Sequence, residues 1–68
     1  MNEDVLNTTL RQFLKTVGVT SQREIEKAIR DAVASGKIKG NEALKARMVL
    51  TIDEVGLHHT IDSVIETE

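Results

Sequence analysis

The chain has 68 residues, is 40% hydrophobic with Phe13 as its one aromatic residue, has no Cys, Trp, Tyr or Pro, and carries a formal net charge of −2. That length holds one small domain, residues 1–68, with a marginal core, and the composition excludes a disulfide framework, a cysteine metal site and the aromatic platforms on which single-stranded nucleic acid stacks. The −2 conceals a charge separation: all nine Lys and Arg lie between Arg11 and Arg47 among four acids, whereas residues 1–10 hold Glu3 and Asp4 alone and residues 48–68 hold five acids and no Lys or Arg.

From about residue 3 to 17, Leu6, Leu10, Phe13, Leu14 and Val17 recur at helical spacing, one stripe of an amphipathic helix. Gly18 follows the last of them, where a left-handed residue closes many helices, and Val19 stands ready for the apolar contact of a Schellman cap. Ser21-Gln22-Arg23-Glu24 then reads as a capping box that opens a second helix over about 21–34, with Ile25, Ala28, Ile29, Ala32 and Val33 on its buried side and Gly36 as its stop. The short connection between them implies an αα corner.

Beyond about residue 43 the period changes from 3.6 to 2. Leu44, Ala46, Met48, Leu50 and Ile52 alternate with Lys45, Arg47, Val49, Thr51 and Asp53, and a second alternating run over about 57–66 puts Leu57, His59, Ile61, Ser63 and Ile65 on one face. Folding back on Asp53-Glu54-Val55-Gly56 sets Met48 opposite Ile61, Leu44 opposite Ile65, Ala46 opposite Ser63 and, on the other face, Arg47 opposite Asp62. The expected fold is α+β in the order α-α-β-β, two helices packed on one face of an antiparallel hairpin, with a short third strand around Ile38 as an addition.

Four constellations carry chemical meaning. Gly36-Lys37-Ile38-Lys39-Gly40 has the composition of a phosphate loop but follows a helix instead of preceding one, so a helix stop is the better reading. His58 and His59 are adjacent in a strand and point to opposite faces, which does not build a metal site. Ser21 and Ser63 have structural roles, and Glu24 and Glu26 diverge on a helix and suit ion pairs with Lys27 and Arg30, so no catalytic residue, metal ligand, cofactor or small-molecule ligand is expected and the chain is read as a non-enzyme. The remaining candidates are the cations Arg23, Lys27, Arg30, Lys37, Lys39, Lys45 and Arg47.

Residues 13–47, as a helix, a turn containing Gly18-Val19-Thr20, the helix Glu24-Ile25-Glu26-Lys27-Ala28-Ile29-Arg30 and Gly36-Lys37-Ile38 leading into a hairpin, resemble part of a winged-helix DNA-binding domain. That resemblance implies a groove-reading second helix and a wing on the backbone. Here Glu24 stands where that family has an apolar residue, and Glu24, Glu26 and Asp31 interrupt the basic face. The stretches from Val17 to Ala28 and from Lys45 to Leu50 are similar to a family of short bacterial proteins of unknown function, which implies a small cytoplasmic protein and brings no site with it.

The absence of Cys and of a secretory signal also points to a reducing cytoplasm, and no apolar run approaches the roughly 18 residues of a membrane span. By elimination the expected function is a non-catalytic protein-interaction module, self-associating or binding another protein through a hairpin edge or the basic helix face. The alternative is nucleic-acid binding by the basic second helix with the loop and strand that follow.

Overall fold

The computed structural model describes all residues, 1–68, as a helix α1 (Glu3–Ala34), a strand β1 (Ala43–Ile52), one 3-10 turn (Asp53–Val55) and a strand β2 (Leu57–Glu66). The chain divides into two compact units, Met1–Ser35 and Gly36–Glu68.

The first unit is one helix of 32 residues, about 48 Å long at 1.5 Å per residue. Asn2 caps its start: the side-chain Oδ1 accepts from the amides of Asp4 and Val5 at 3.0 and 3.1 Å. Glu3 and Asp4 in the first turn meet the positive end of the helix dipole. Ser35 is the C-cap, its amide donating to the Asp31 carbonyl at 3.0 Å, and Gly36 follows with φ 79°, the left-handed residue that ends the helix.

The expected pair of helices is therefore wrong: the fold is α-β-β, and there is no αα corner. Gly18 has no positive φ, Ser21 lies in the helix interior, and neither the Schellman cap nor the capping box forms. The energetics explain why. An interior glycine costs about 1 kcal/mol relative to alanine, whereas a break would orphan four carbonyls and four amides and require a second nucleation. The threonines around the glycine satisfy their hydroxyls inside the helix, Thr16 donating to the Gln12 carbonyl at 3.0 Å and Thr20 to the Thr16 carbonyl at 2.7 Å, so neither offers the backbone a cap that would end it. The apolar pattern also runs through the glycine: Leu14 and Ile25, Val17 and Ala28, and Leu10, Ser21 and Ala32 repeat at eleven residues, three turns of a nearly straight helix.

In the second unit the two strands pair antiparallel in the register read from alternation, with Leu44↔Ile65, Ala46↔Ser63, Met48↔Ile61 and Arg47↔Asp62. The turn closes on Gly56, which has φ 67° and donates its amide to the Asp53 carbonyl at 3.1 Å. At the open end the Thr67 hydroxyl donates to the Glu42 carbonyl at 2.6 Å. The sheet has two strands, so the third strand suggested near Ile38 is absent. Gly36 and Gly40, both at positive φ, turn the backbone on either side of Ile38 and leave no extended segment to pair.

The expectation of two helices on one face of the hairpin is also corrected, because there is a single helix, and neither unit buries a side chain within itself. Within the hairpin only Leu44, Ala46, Leu50 and Ile65 are half-buried.

Replacing Gly18 separates a continuous helix from a broken one. A Cβ there meets nothing within 4 Å and the backbone has no positive φ, so Gly18→Ala is expected to stabilise the protein by roughly 0.5–1 kcal/mol in denaturant unfolding. A loss of stability of that size would indicate that the helix stops at Gly18.

Candidate interaction surface

The seven cations singled out from the sequence are all exposed, and the structure sorts them into two sets. At 100° per residue, Arg23, Lys27 and Arg30 share an arc of about 60° on one side of α1, away from the apolar stripe. Lys45 and Arg47 alternate on one face of β1, and Lys37 and Lys39 lie in the loop before it.

Two of these cations are paired as their spacing implies. Arg30 Nη1 lies 3.5 Å from Glu26 Oε2, and Arg47 Nε donates to Asp62 Oδ1 at 2.7 Å. The Glu24 to Lys27 pair does not form; the second oxygen of Glu26 instead accepts from Gln22 Nε2 at 3.1 Å. Both ion pairs are more than 45% exposed on each side, and pairs of this kind contribute between zero and about 1 kcal/mol. Their role is to trim the free positive charge. Arg23, Lys27, Lys37, Lys39 and Lys45 have no carboxylate within ion-pair distance.

Around residues 36–42 the structure reveals a feature that composition alone did not indicate. The amides of Lys39, Gly40 and Asn41 all donate to the Glu42 carboxylate, at 2.9, 2.9 and 3.0 Å. Three successive N–H groups converging on an anion form a nest, and here the anion is the chain's own side chain. The Lys39 amide, followed by those of Gly40 and Asn41, holds the Glu42 carboxyl below its ordinary range. This is a loop latch, and it uses the donors that a phosphate would need. The sequence signal was present: two glycines that admit left-handed turns, with an acid two residues after the second.

His58 and His59 lie opposite Thr51 and Leu50 and so fall on opposite faces of the hairpin. No group of three or more His, Cys, Asp or Glu side chains converges in the fold. No helix is long and apolar enough to cross a membrane. A recess of about 530 Å³ lined by Lys45, Ala46, Arg47, Asp62, Ser63 and Val64 surrounds the Arg47–Asp62 pair.

The dominant surface feature is apolar. On α1, Leu6, Leu10, Phe13, Leu14 and Ile25 are exposed by 36, 43, 48, 59 and 38%, and on the hairpin Met48, Ile52, Leu57 and Ile61 are exposed by 42, 38, 39 and 53%. Scattered exposed hydrophobic residues are ordinary, but contiguous apolar faces mark binding surfaces.

The nest has a pH signature. A carboxylate with a lowered pKa contributes order that is complete above its ordinary value of 4.5 and is lost as the pH falls through the lowered value. The Lys39, Gly40 and Asn41 amides are therefore expected to exchange with solvent faster in acid, and Glu42→Gln should show that fast exchange at neutral pH. Equal protection in both proteins at pH 7 would refute the latch.

The winged-helix resemblance finds no support, because that architecture requires the turn at Gly18 that the continuous α1 lacks. No curated protein and no solved structure matches the chain. One family model matches over residues 1–68, described as a family of unknown function (DUF6494), and the chain belongs to that family.

Proposed function

We propose that the chain is a non-catalytic protein-interaction module whose apolar surfaces are completed by another polypeptide, foremost a second copy. The observation that carries this reading is the absence of any buried side chain alongside sixteen large hydrophobic residues that are exposed. A lone helix draws its stability in water mainly from packing its apolar face, and a lone two-stranded hairpin is marginal. Both units present such a face. Chains of this size without disulfide or metal commonly gain the missing core by association.

Sedimentation equilibrium of the full chain tests this reading. The apparent mass should rise with concentration towards a multiple of 7.5 kDa. A strict monomer at near-millimolar concentration overturns self-association, and a heterologous partner would then be sought by affinity capture from lysate with and without nuclease.

The arc of Arg23, Lys27 and Arg30 favours nucleic acid as a second reading. Three phosphate contacts would give a log affinity falling with log salt at a slope of about −3, and Lys27→Glu should abolish duplex binding. No binding at low salt removes this reading.

A further inference from the structure

Resting on the self-association reading, we infer that the second copy pairs with α1 along its full length and antiparallel, about a twofold axis at Val19. At 100° per residue, Leu6, Leu10, Phe13, Leu14, Val17, Ser21, Ile25, Ala28 and Ala32 fall within one arc of about 120°. No side chain in this arc is buried. The arc runs almost from end to end of the helix.

Its composition is lopsided. Within this arc the bulky residues Leu6, Leu10, Phe13 and Leu14 occupy the N-terminal half, while Ser21, Ala28 and Ala32 share the C-terminal half with Ile25; Ile29 and Val33 lie outside it, about 40° and 80° beyond Ile25. Interhelical separation follows side-chain size at the contact, within about 8–10 Å. A parallel pair would set large on large at one end and small on small at the other, so no single separation would fill both. An antiparallel pair centred on Val19 sets Leu6 on Ala32, Leu10 on Ala28, Phe13 on Ile25 and Val17 on Ser21. Most layers then combine a larger residue with a smaller one at a nearly constant separation. The same arrangement opposes the helix dipoles and keeps Glu3 and Asp4 of one copy away from the same acids of the other.

Area requires the full length. A strip about 48 Å long and 10–12 Å wide presents roughly 500 Å² in projection on each copy, so the pair removes on the order of 1,000 Å² from solvent, the threshold for a specific interface. A contact confined to the bulky half would fall to about half of that.

Glu24 lies inside the arc, opposite Phe13 and Leu14 of the partner copy in this register, and is its charged residue nearest the middle of the helix. Its carboxylate opposes association, which supplies a test in the direction of gain. Glu24→Leu is expected to tighten the dimer about tenfold or more, and Leu10→Asp to weaken it about a hundredfold or more. The chain has no Cys, so Thr8→Cys on the exposed side of α1 takes a single spin label. Thr8 lies at the level of Arg30 of the other copy in the antiparallel register, an axial offset of about 33 Å, so the two labels on the outer sides should be roughly 40 Å apart, against about 20 Å in a parallel pair.

A dimer with the long separation that is tightened by Glu24→Leu establishes the inference. A dimer with the short separation, or one indifferent to both stripe substitutions, overturns the antiparallel α1 pair while leaving self-association standing. A monomer under all conditions overturns both.

Discussion

Apolar surface that neither compact unit buries within itself is the constraint on which the rest of this structure depends. Every regular element is held by local backbone hydrogen bonds: the i to i+4 ladder in α1, the paired ladder in β1 and β2, and a nest of three amides on Glu42 between them. Such bonds define shape but contribute modestly to net stability, because the unfolded chain makes equivalent bonds with water. The hydrophobic term is the larger one. Here it is still available at Leu10, Phe13 and Leu14 on the helix and at Met48 and Ile61 on the hairpin.

The charges fit the same picture. Two cations are engaged locally, Arg30 with Glu26 and Arg47 with Asp62, and both pairs lie in solvent. The net of five positive charges between Arg11 and Arg47 already counts Glu26, so only the pairing of Arg47 with Asp62, an acid outside that segment, offsets it further; the rest is divided between the helix and one face of the hairpin with its preceding loop. A long-range field from such an arrangement steers encounter and orientation more than it supplies affinity. In the reading we propose, affinity rests on the apolar stripes, which is why we rank a protein partner above a nucleic acid.

The hairpin was fully legible in the sequence, and the reason is local. A period of 2 admits one register that puts apolar on apolar and Arg47 on Asp62, and a slip by one residue would reverse every side chain. Gly56 marked the turn and Gly36 the end of the helix by the same logic, since both take a left-handed backbone that other residues avoid. Of the candidate surface, the seven cations and their division between one side of a helix and the following loop and strand were legible from spacing, whereas the Glu42 nest was not, because three amides converge only after Gly36 and Gly40 have turned the chain. The error at Gly18 is of a different kind. Gly-Val-Thr-Ser matches both a helix stop followed by a cap and the interior of a longer helix. The eleven-residue spacing that bridges it shows only when residues 10–32 are read as one segment.

By itself the sequence determined the elements whose information is short in range: where helix gives way to strand, the strand register, the two ion pairs and the glycine turns. Only the folded structure decided that Gly18 lies inside one helix. About 1 kcal/mol of glycine penalty is smaller than the loss of a turn of backbone hydrogen bonds, a comparison between two complete conformations that no local motif contains. It also decided that apolar residues on either side of Gly18 share one arc along α1, which joins two short amphipathic segments into a single long apolar face.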